Sequence, residues 1–389
     1  MGTSTQHVGH VAAIDIGGTK IAGGVVDGSG RVLYATSRPT PQARPAAQTT
    51  TAAATGTIAE PAVRAEPAAP TDPVDEVMAA VYAVLDELAA SPAWDGVDAV
   101  GIGSAGPVDG KHGTVSPVNI PAWRSFPLLA RTALHPAVGA RPLTLAGDAV
   151  AMAAGEHRYG AAAGYANALC MVVSTGVGGG LVLGGQVVPG ATGNAGHIGH
   201  ITVDLDGERC PCGGRGCLER LASGPSIVRR ALSFGWVPQG CATPADTSPD
   251  ADADRAAALR ATLGRSTTVT HSAEAVARSA EAGDRAALAA FDRAAQALAA
   301  GIAATAALVE IDLVVIGGGV AQAGELLFAP LRGWLRQYAT LAFTRHLTVV
   351  PARLGAHAGL VGAAACARSG AFPTHYPDAR RGESEVLCV

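Results

Sequence analysis

Two segments of this chain share one plan. Residues 11–35, VAAIDIGGTKIAGGVVDGSGRVLYA, run as an apolar strand, a turn at Gly17-Gly18, a second strand and a glycine-containing turn into a third. Residues 168–190, ALCMVVSTGVGGGLVLGGQVVPG, repeat the plan with a small-residue turn between the first two strands. A repeated strand-turn-strand unit predicts an internal duplication, and with it two related α/β domains facing each other. The length of 389 residues agrees, at about 100–200 residues per domain.

The expected division is an N-terminal α/β domain over 1–145, a C-terminal α/β domain over 146–370 and a frayed tail over 371–389. Residues 36–73, rich in Pro, Ala and Thr without periodicity, read as a mobile loop or linker that carries no chemistry, and 236–268 reads as a second low-complexity insertion. Between them, 74–90 has helical spacing with Asp72 as a cap, 98–109 reads as a buried strand, and 142–164 reads as strand, polar turn and helix. Helical signals resume over 273–310, followed by a strand and glycine turn in 311–325 and a last helix over 357–367.

The formal net charge of −4 argues against a nucleic-acid partner held by electrostatics, since such binding draws on clustered Lys and Arg. The first ten residues lack the basic and apolar regions of a signal peptide, and no run approaches 18 apolar residues, so a cytoplasmic protein without a membrane partner is expected. Seven cysteines, three of them between 210 and 217, point to a metal site rather than to a disulfide framework.

Chemistry concentrates in a few places. In DIGGTK, Gly17 and Gly18 let backbone approach an oxygen-rich ligand, Thr19 and Lys20 supply donors, and Asp15 ends the strand where it can orient a metal ion or water. STGVGGG, with Thr175 and Gly176, gives a second such turn, and IGGGV, with Gly317 and Gly318, a third at a strand end, where α/β folds bind nucleotides. Each alone also reads as an ordinary turn; together they outline a phosphate and adenosine cradle. There is neither a Walker loop nor a dinucleotide fingerprint.

Cys210, Cys212 and Cys217, with His200 ten residues upstream of the first, form the Cys3His set that closes a tetrahedral zinc site. Four protein ligands leave no open position for water, so the zinc is expected to be structural, with His197 and Glu219 held beside it. Asp148, on the polar turn between an apolar strand and a helix, reads either as a general base or as a helix N-cap. Asn119, in PVNIPAW, fits the wall of a small-molecule pocket and equally a turn.

In this order, DIGGTK, STGVGGG and AGHIGHITVDLDGERCPCGGRGCLE resemble the ROK family of sugar kinases, over about Val11 to Arg368. The resemblance implies the two-domain actin-like ATPase fold, ribonuclease H-like, of the sugar kinase, Hsp70 and actin superfamily. It implies ATP with Mg²⁺, a structural Zn²⁺, and a dimer or tetramer. Asp15, Gly17, Gly18, Thr19 and Lys20 correspond to a first phosphate loop, Thr175 and Gly176 to a second, and Gly317 and Gly318 to the border of the adenosine. Asp148 corresponds to the catalytic base. Asn119, His197, His200 and Glu219 fall at sugar-contacting positions, with His200 doubling as a zinc ligand.

Two departures fall in the sugar pocket: His197 stands where many members have Glu, the form GHIGH being more similar to that of bacterial N-acetylmannosamine kinases, and Gly147 stands where an Asn is usual. The expected reaction is phosphorylation of a primary hydroxyl on a hexose, an N-acyl amino sugar or a sugar-like cyclitol, the two domains closing to exclude water. A C7-cyclitol kinase of an aminocyclitol antibiotic pathway is the alternative acceptor reading, and a catalytically inactive sugar-sensing regulator the alternative of another class. Regulators in the family carry a DNA-binding module ahead of the kinase-like body, and 14 residues before Asp15 leave no room for one.

Overall fold

The computed structural model of the protein describes residues 9–41, 73–238 and 272–377. The chain forms two compact units, one taking it up to Ala163, then Gln186–Ala195 and everything from Ala356, the other taking Gly164–Gly185 and Gly196–Gly355. The expected break at 145/146 is therefore corrected. Helix Asp148–Tyr159 and the C-terminal helix Ala358–Ser369 both belong to the first unit. They meet at backbone distance: a Cβ added to Gly362 would stand 2.1 Å from the Ala151 carbonyl oxygen. Periodicity reports which face of a helix is apolar, not which sheet it returns to.

In the first unit, β1 (His10–Ile16), β2 (Lys20–Val26) and β3 (Val32–Pro39) form the expected antiparallel meander. β4 (Val97–Ser104) and then β7 (Leu143–Gly147) join parallel to β1, while β5 (Val108–Asp109) and β6 (Thr114–Val115) pair as a separate short ribbon. Central β1 is buried on both faces and reads as a nearly continuous apolar run, whereas edge strand β3 is mostly exposed and polar. Helix Pro73–Ala89 buries Val77, Val81, Val84, Leu85 and Leu88, a stripe at three- and four-residue spacing.

Two expectations on this unit change. The stretch assigned to low complexity from 36 begins inside β3, which runs to Pro39; residues 42–72, including the cap assigned to Asp72, lie outside the described residues. The tail expected to fray from 371 instead supplies β13 (Thr374–His375), antiparallel to β7, so the sheet order is β13-β7-β4-β1-β2-β3.

A second sheet is built of β8 (Ala168–Val173), β9 (Val177–Leu183), β10 (Gln186–Val188), β11 (Leu313–Gly317) and β12 (Thr348–Pro351) in the order β10-β9-β8-β11-β12. β8 pairs antiparallel with β9 and parallel with β11, which is parallel to β12. This copies β3-β2-β1-β4-β7, so the duplication read from the sequence is present as topology, in the expected actin-like arrangement. Helix Arg285–Val309 starts where Asp284 Oδ1 accepts the Ala287 N–H at 2.9 Å and stops where Glu310 turns left-handed. Trp236, expected to open an insertion, is fully buried in the core of the second unit; residues 239–271 lie outside the described residues. Among the described residues no helix is long and apolar enough to cross a membrane.

Candidate active site

In the first unit the glycine turn between β1 and β2 is closed by Gly17 N–H donating to the Lys20 carbonyl at 2.9 Å. Thr40 braces it from below: its hydroxyl donates to the Gly17 carbonyl at 2.7 Å and its N–H to the Thr19 carbonyl at 3.0 Å. Thr40 was not singled out from the sequence because it lies inside the stretch read as low complexity from 36 to 73. Asn119 comes to the same turn, since a Cβ on Gly18 would stand 2.3 Å from its Nδ2. The loop bearing Asn119 is shaped by Arg124, whose Nη1 donates to the carbonyls of Pro117 at 3.0 Å and Trp123 at 2.8 Å, and by buried Trp123 stacked on Phe126.

Asp15, in β1, lies across from Gly103 of β4. Its carboxylate rests on the first turn of helix Ala358–Ser369, where a Cβ on Gly359 would stand 2.1 Å from Oδ2. Only glycine leaves room there, and the terminal N–H groups of a helix favour an anion. Desolvation pushes the Asp15 carboxyl up to about 6, with Lys20 opposing the shift.

Asp148 follows β7 as the first residue of helix Asp148–Tyr159, and the N-cap position belongs to Gly147. The capping role is thus not the one Asp148 plays. Its Oδ1 accepts the adjacent Ala149 N–H at 2.7 Å. Although solvent reaches its side chain, surrounding protein desolvates the carboxyl and, with the charge of Asp15, pushes it up to about 7 against that hydrogen bond. Gly147 has an ordinary extended backbone, and a Cβ there would meet the Gly193 carbonyl oxygen at 3.6 Å, so neither strain nor packing demands glycine.

In the second unit the four expected metal ligands converge: Nδ1 or Nε2 of His200 and the Sγ atoms of Cys210, Cys212 and Cys217 all lie within 4.8 Å of one another. Cys212 Sγ is 3.7 Å from Cys217 Sγ, and Cys210 Sγ is 3.7 Å from His200 Nδ1. Tetrahedral zinc with Zn–S bonds of about 2.3 Å and Zn–N bonds of about 2.0 Å requires edges of about 3.5–3.8 Å. The donor set is compatible with zinc in both chemistry and spacing.

His197 stacks its ring on that of His200 at 5.1 Å; burial and the His200 charge hold it below its usual range, with Glu219 opposing. Glu219 directly follows the ligand segment, and its Oε2 accepts the Val177 N–H at 2.9 Å. A Cβ on Gly176 would stand 2.7 Å from the same oxygen, so the carboxylate sits on the second glycine turn. Four sequence-predicted residues, His197, His200, Glu219 and Gly176, are thereby gathered around one knot.

Beside this turn a cavity of about 940 Å³ is lined by Ser174, Thr175, Gly224, Pro225, Val228, Arg229, Leu232, Ser272, Ala273, Glu274, Gly319, Val320 and Gln322. Apolar walls with a few polar groups suit a purine nucleoside. Thr175 is where it was expected. Gly317 and Gly318 do not line the cavity: Gly317 ends β11, and Gly318 packs against the Val173 carbonyl, with Gly319 and Val320 taking the wall. Helix Gly224–Ser233 was missed as a contributor, although the Gly-Pro at its start is a legible helix-start signal.

Residues 46–369 match the sequence model of the ROK family. A glucokinase of Streptomyces coelicolor is 32% identical over 362 residues, 93% of this chain and 98% of that protein. A kanosamine kinase of Amycolatopsis mediterranei is 32% identical over 271 residues, 70% of this chain and 77% of that protein. The crystal structure of a ROK family glucokinase from Streptomyces griseus, in complex with glucose and AMPPNP, superposes with a TM-score of 0.68 at 33% identity, covering 92% of this chain and 99% of that one.

Proposed function

The chain belongs to the ROK family, and from that premise we propose that this phosphotransferase moves the γ-phosphoryl group of ATP to a primary hydroxyl of a hexose, an N-acyl amino sugar or a sugar-like cyclitol. The observation that carries the chemistry is Asp148, a carboxylate at a strand end whose basicity is raised to about 7. A base with that pKa is half ionised near neutrality and is matched to taking the proton of an attacking hydroxyl, a contribution of about 10²–10⁴-fold.

The remaining residues divide by role. The Thr40-braced turn of Gly17, Gly18, Thr19 and Lys20 and the turn at Thr175-Gly176 receive phosphate oxygens through backbone N–H groups and the Lys20 charge. Asp15 holds the Mg²⁺ that accompanies ATP, and the cavity walled by Val228, Leu232 and Val320 takes the adenosine. Asn119, His197, His200 and Glu219 bind the acceptor's hydroxyls. His200, Cys210, Cys212 and Cys217 would hold zinc, which would supply a structural crosslink fixing His200 and the segment running into Glu219. The glucokinase and kanosamine kinase relatives support a hexose or amino hexose as acceptor.

The test is coupled ADP release with glucose, kanosamine, N-acetylmannosamine and a C7-cyclitol as acceptors, run beside Asp148→Asn. At least one acceptor is expected to stimulate ADP release, and Asp148→Asn is expected to lower kcat by about 10²–10⁴-fold with little change in nucleotide affinity. Full activity in the variant refutes the base; silence with every acceptor refutes the kinase reading.

A further inference from the structure

On the second unit, away from every residue of the nucleotide cavity, helix Glu325–Tyr338 and the segment leading into β12 enclose a cavity of about 580 Å³. Its lining residues include Arg332, Arg336 and Arg345, Thr340, Thr344 and Thr348, and neither Asp nor Glu. Arg332 is answered by Glu325, at 2.9 and 3.1 Å. Arg345 uses only its Nε, donating to the Thr340 carbonyl at 3.2 Å, and Arg336 makes no hydrogen bond or ion pair with any described residue. Two arginines therefore line one cavity with their terminal nitrogens unspent on described residues.

The strand beside them adds a backbone donor. β12 is the edge of its sheet, and its ladder to β11 uses alternate residues: Thr348 N–H donates to the Asp312 carbonyl at 3.1 Å and Ala352 N–H to the Ile316 carbonyl at 3.0 Å. By the alternation of a parallel ladder, the N–H of Val349 is directed off the free edge. Val349 lines this cavity, and no bond from its N–H to a residue outside the β11 ladder is found among the described residues. An edge-strand N–H of this kind is a ready donor to an acceptor supplied from outside.

We propose that this cavity is a second ligand site that binds a phosphorylated small molecule, with Arg336 and Arg345 clamping the phosphate oxygens and the Val349 N–H donating to one of them. The donors select the chemistry. A single carboxylate matches one guanidinium fork, whereas a phosphate ester presents three oxygens that satisfy two forks and an N–H at once. The volume selects the size: it exceeds bare phosphate and lies within the range of about 300–1,000 Å³ that holds small organic ligands. Because the site shares no residue with the nucleotide cavity, it stands whether or not the kinase reading holds.

The test is calorimetric titration of the full chain, first saturated with AMPPNP, using inorganic phosphate, pyrophosphate and ribose 5-phosphate as probes. Wild type is compared with the double variant Arg336→Ala, Arg345→Ala, and with Arg336→Lys. Ribose 5-phosphate is expected to bind once per chain, the double variant to weaken it by at least about tenfold, and Arg336→Lys to lose affinity while keeping its charge. Nucleotide affinity is expected to be the same in all three proteins, which reports that the variants are folded. Equal affinity of wild type and double variant for the probes, or no binding of any probe at millimolar concentration, overturns the proposal.

Discussion

Asp148 and Asp15 stand at the ends of strands separated by β4, and each raises the question of which charge state the other permits. Desolvation and the Asp15 charge both push Asp148 upward, to about 7. A general base works as the carboxylate, so kcat/KM for the acceptor is expected to rise about tenfold per pH unit below about 7 and to level off above it. Asp15→Asn removes the negative neighbour, and the inflection is expected to move to lower pH; an unmoved inflection means that Asp15 does not set it. In stability terms the same shift runs the other way: a folded carboxyl raised from 3.8 to about 7 favours the native state below 3.8 and loses that contribution as pH rises through 7. At this scale the sequence presents Asp148 as either cap or base, and the placement of Gly147 at the cap means that the carboxylate is not spent on capping. Thr40 and Gly359 were not legible, because nothing local to either residue announces the turn it braces or the carboxylate it admits.

The knot from His200 to Glu219 acts as one element. Its ligands fall within eighteen residues, and short isolated pairings at Thr202 with Cys217 and at Arg209 with Arg215 hold the loop in register. With so little apolar core of its own, the loop is expected to depend on metal. Zinc is predicted at one ion per chain by elemental analysis. Cys212→Ser is predicted to lose it and to destabilise the protein by about 3 kcal/mol or more, at the upper end for single substitutions. It should also raise the KM for the acceptor, since Glu219 loses its anchor. Folded wild type without zinc, or a variant with unchanged melting temperature, contradicts the assignment. This element was the most legible in the chain, because ligand type and spacing are local properties. The third glycine turn was less so: the cluster at 316–320 stands at a strand end, but the strand's own packing consumes Gly318, and the cavity wall starts one residue later.

For the whole molecule, the two units have separate cores, one built around β1 and β4 and the other around β8 and β11. Ligand bound at one unit is expected to register there first. AMPPNP at about 100 times its Kd stabilises by about 2.7 kcal/mol, and hydrogen exchange is predicted to slow in 174–177, 224–232 and 319–322, the segments around the cavity of the second unit. Slowing elsewhere without these segments displaces the adenosine from that cavity. What the sequence determined by itself is what short stretches encode: the duplicated strand-turn-strand units, the glycine turns and the Cys3His ligand set. Strand alternation, turn chemistry and ligand spacing act within about twenty residues. What the tertiary structure decided is which distant segments meet. Helix Ala358–Ser369 crosses back to the first unit to seat Asp15, helix Gly224–Ser233 joins Gly319 and Val320 around one cavity, and Trp236 closes a core instead of opening a loop. These contacts join residues tens to hundreds of positions apart, and their partners are chosen by close packing of whole surfaces, which no local pattern in a single chain records.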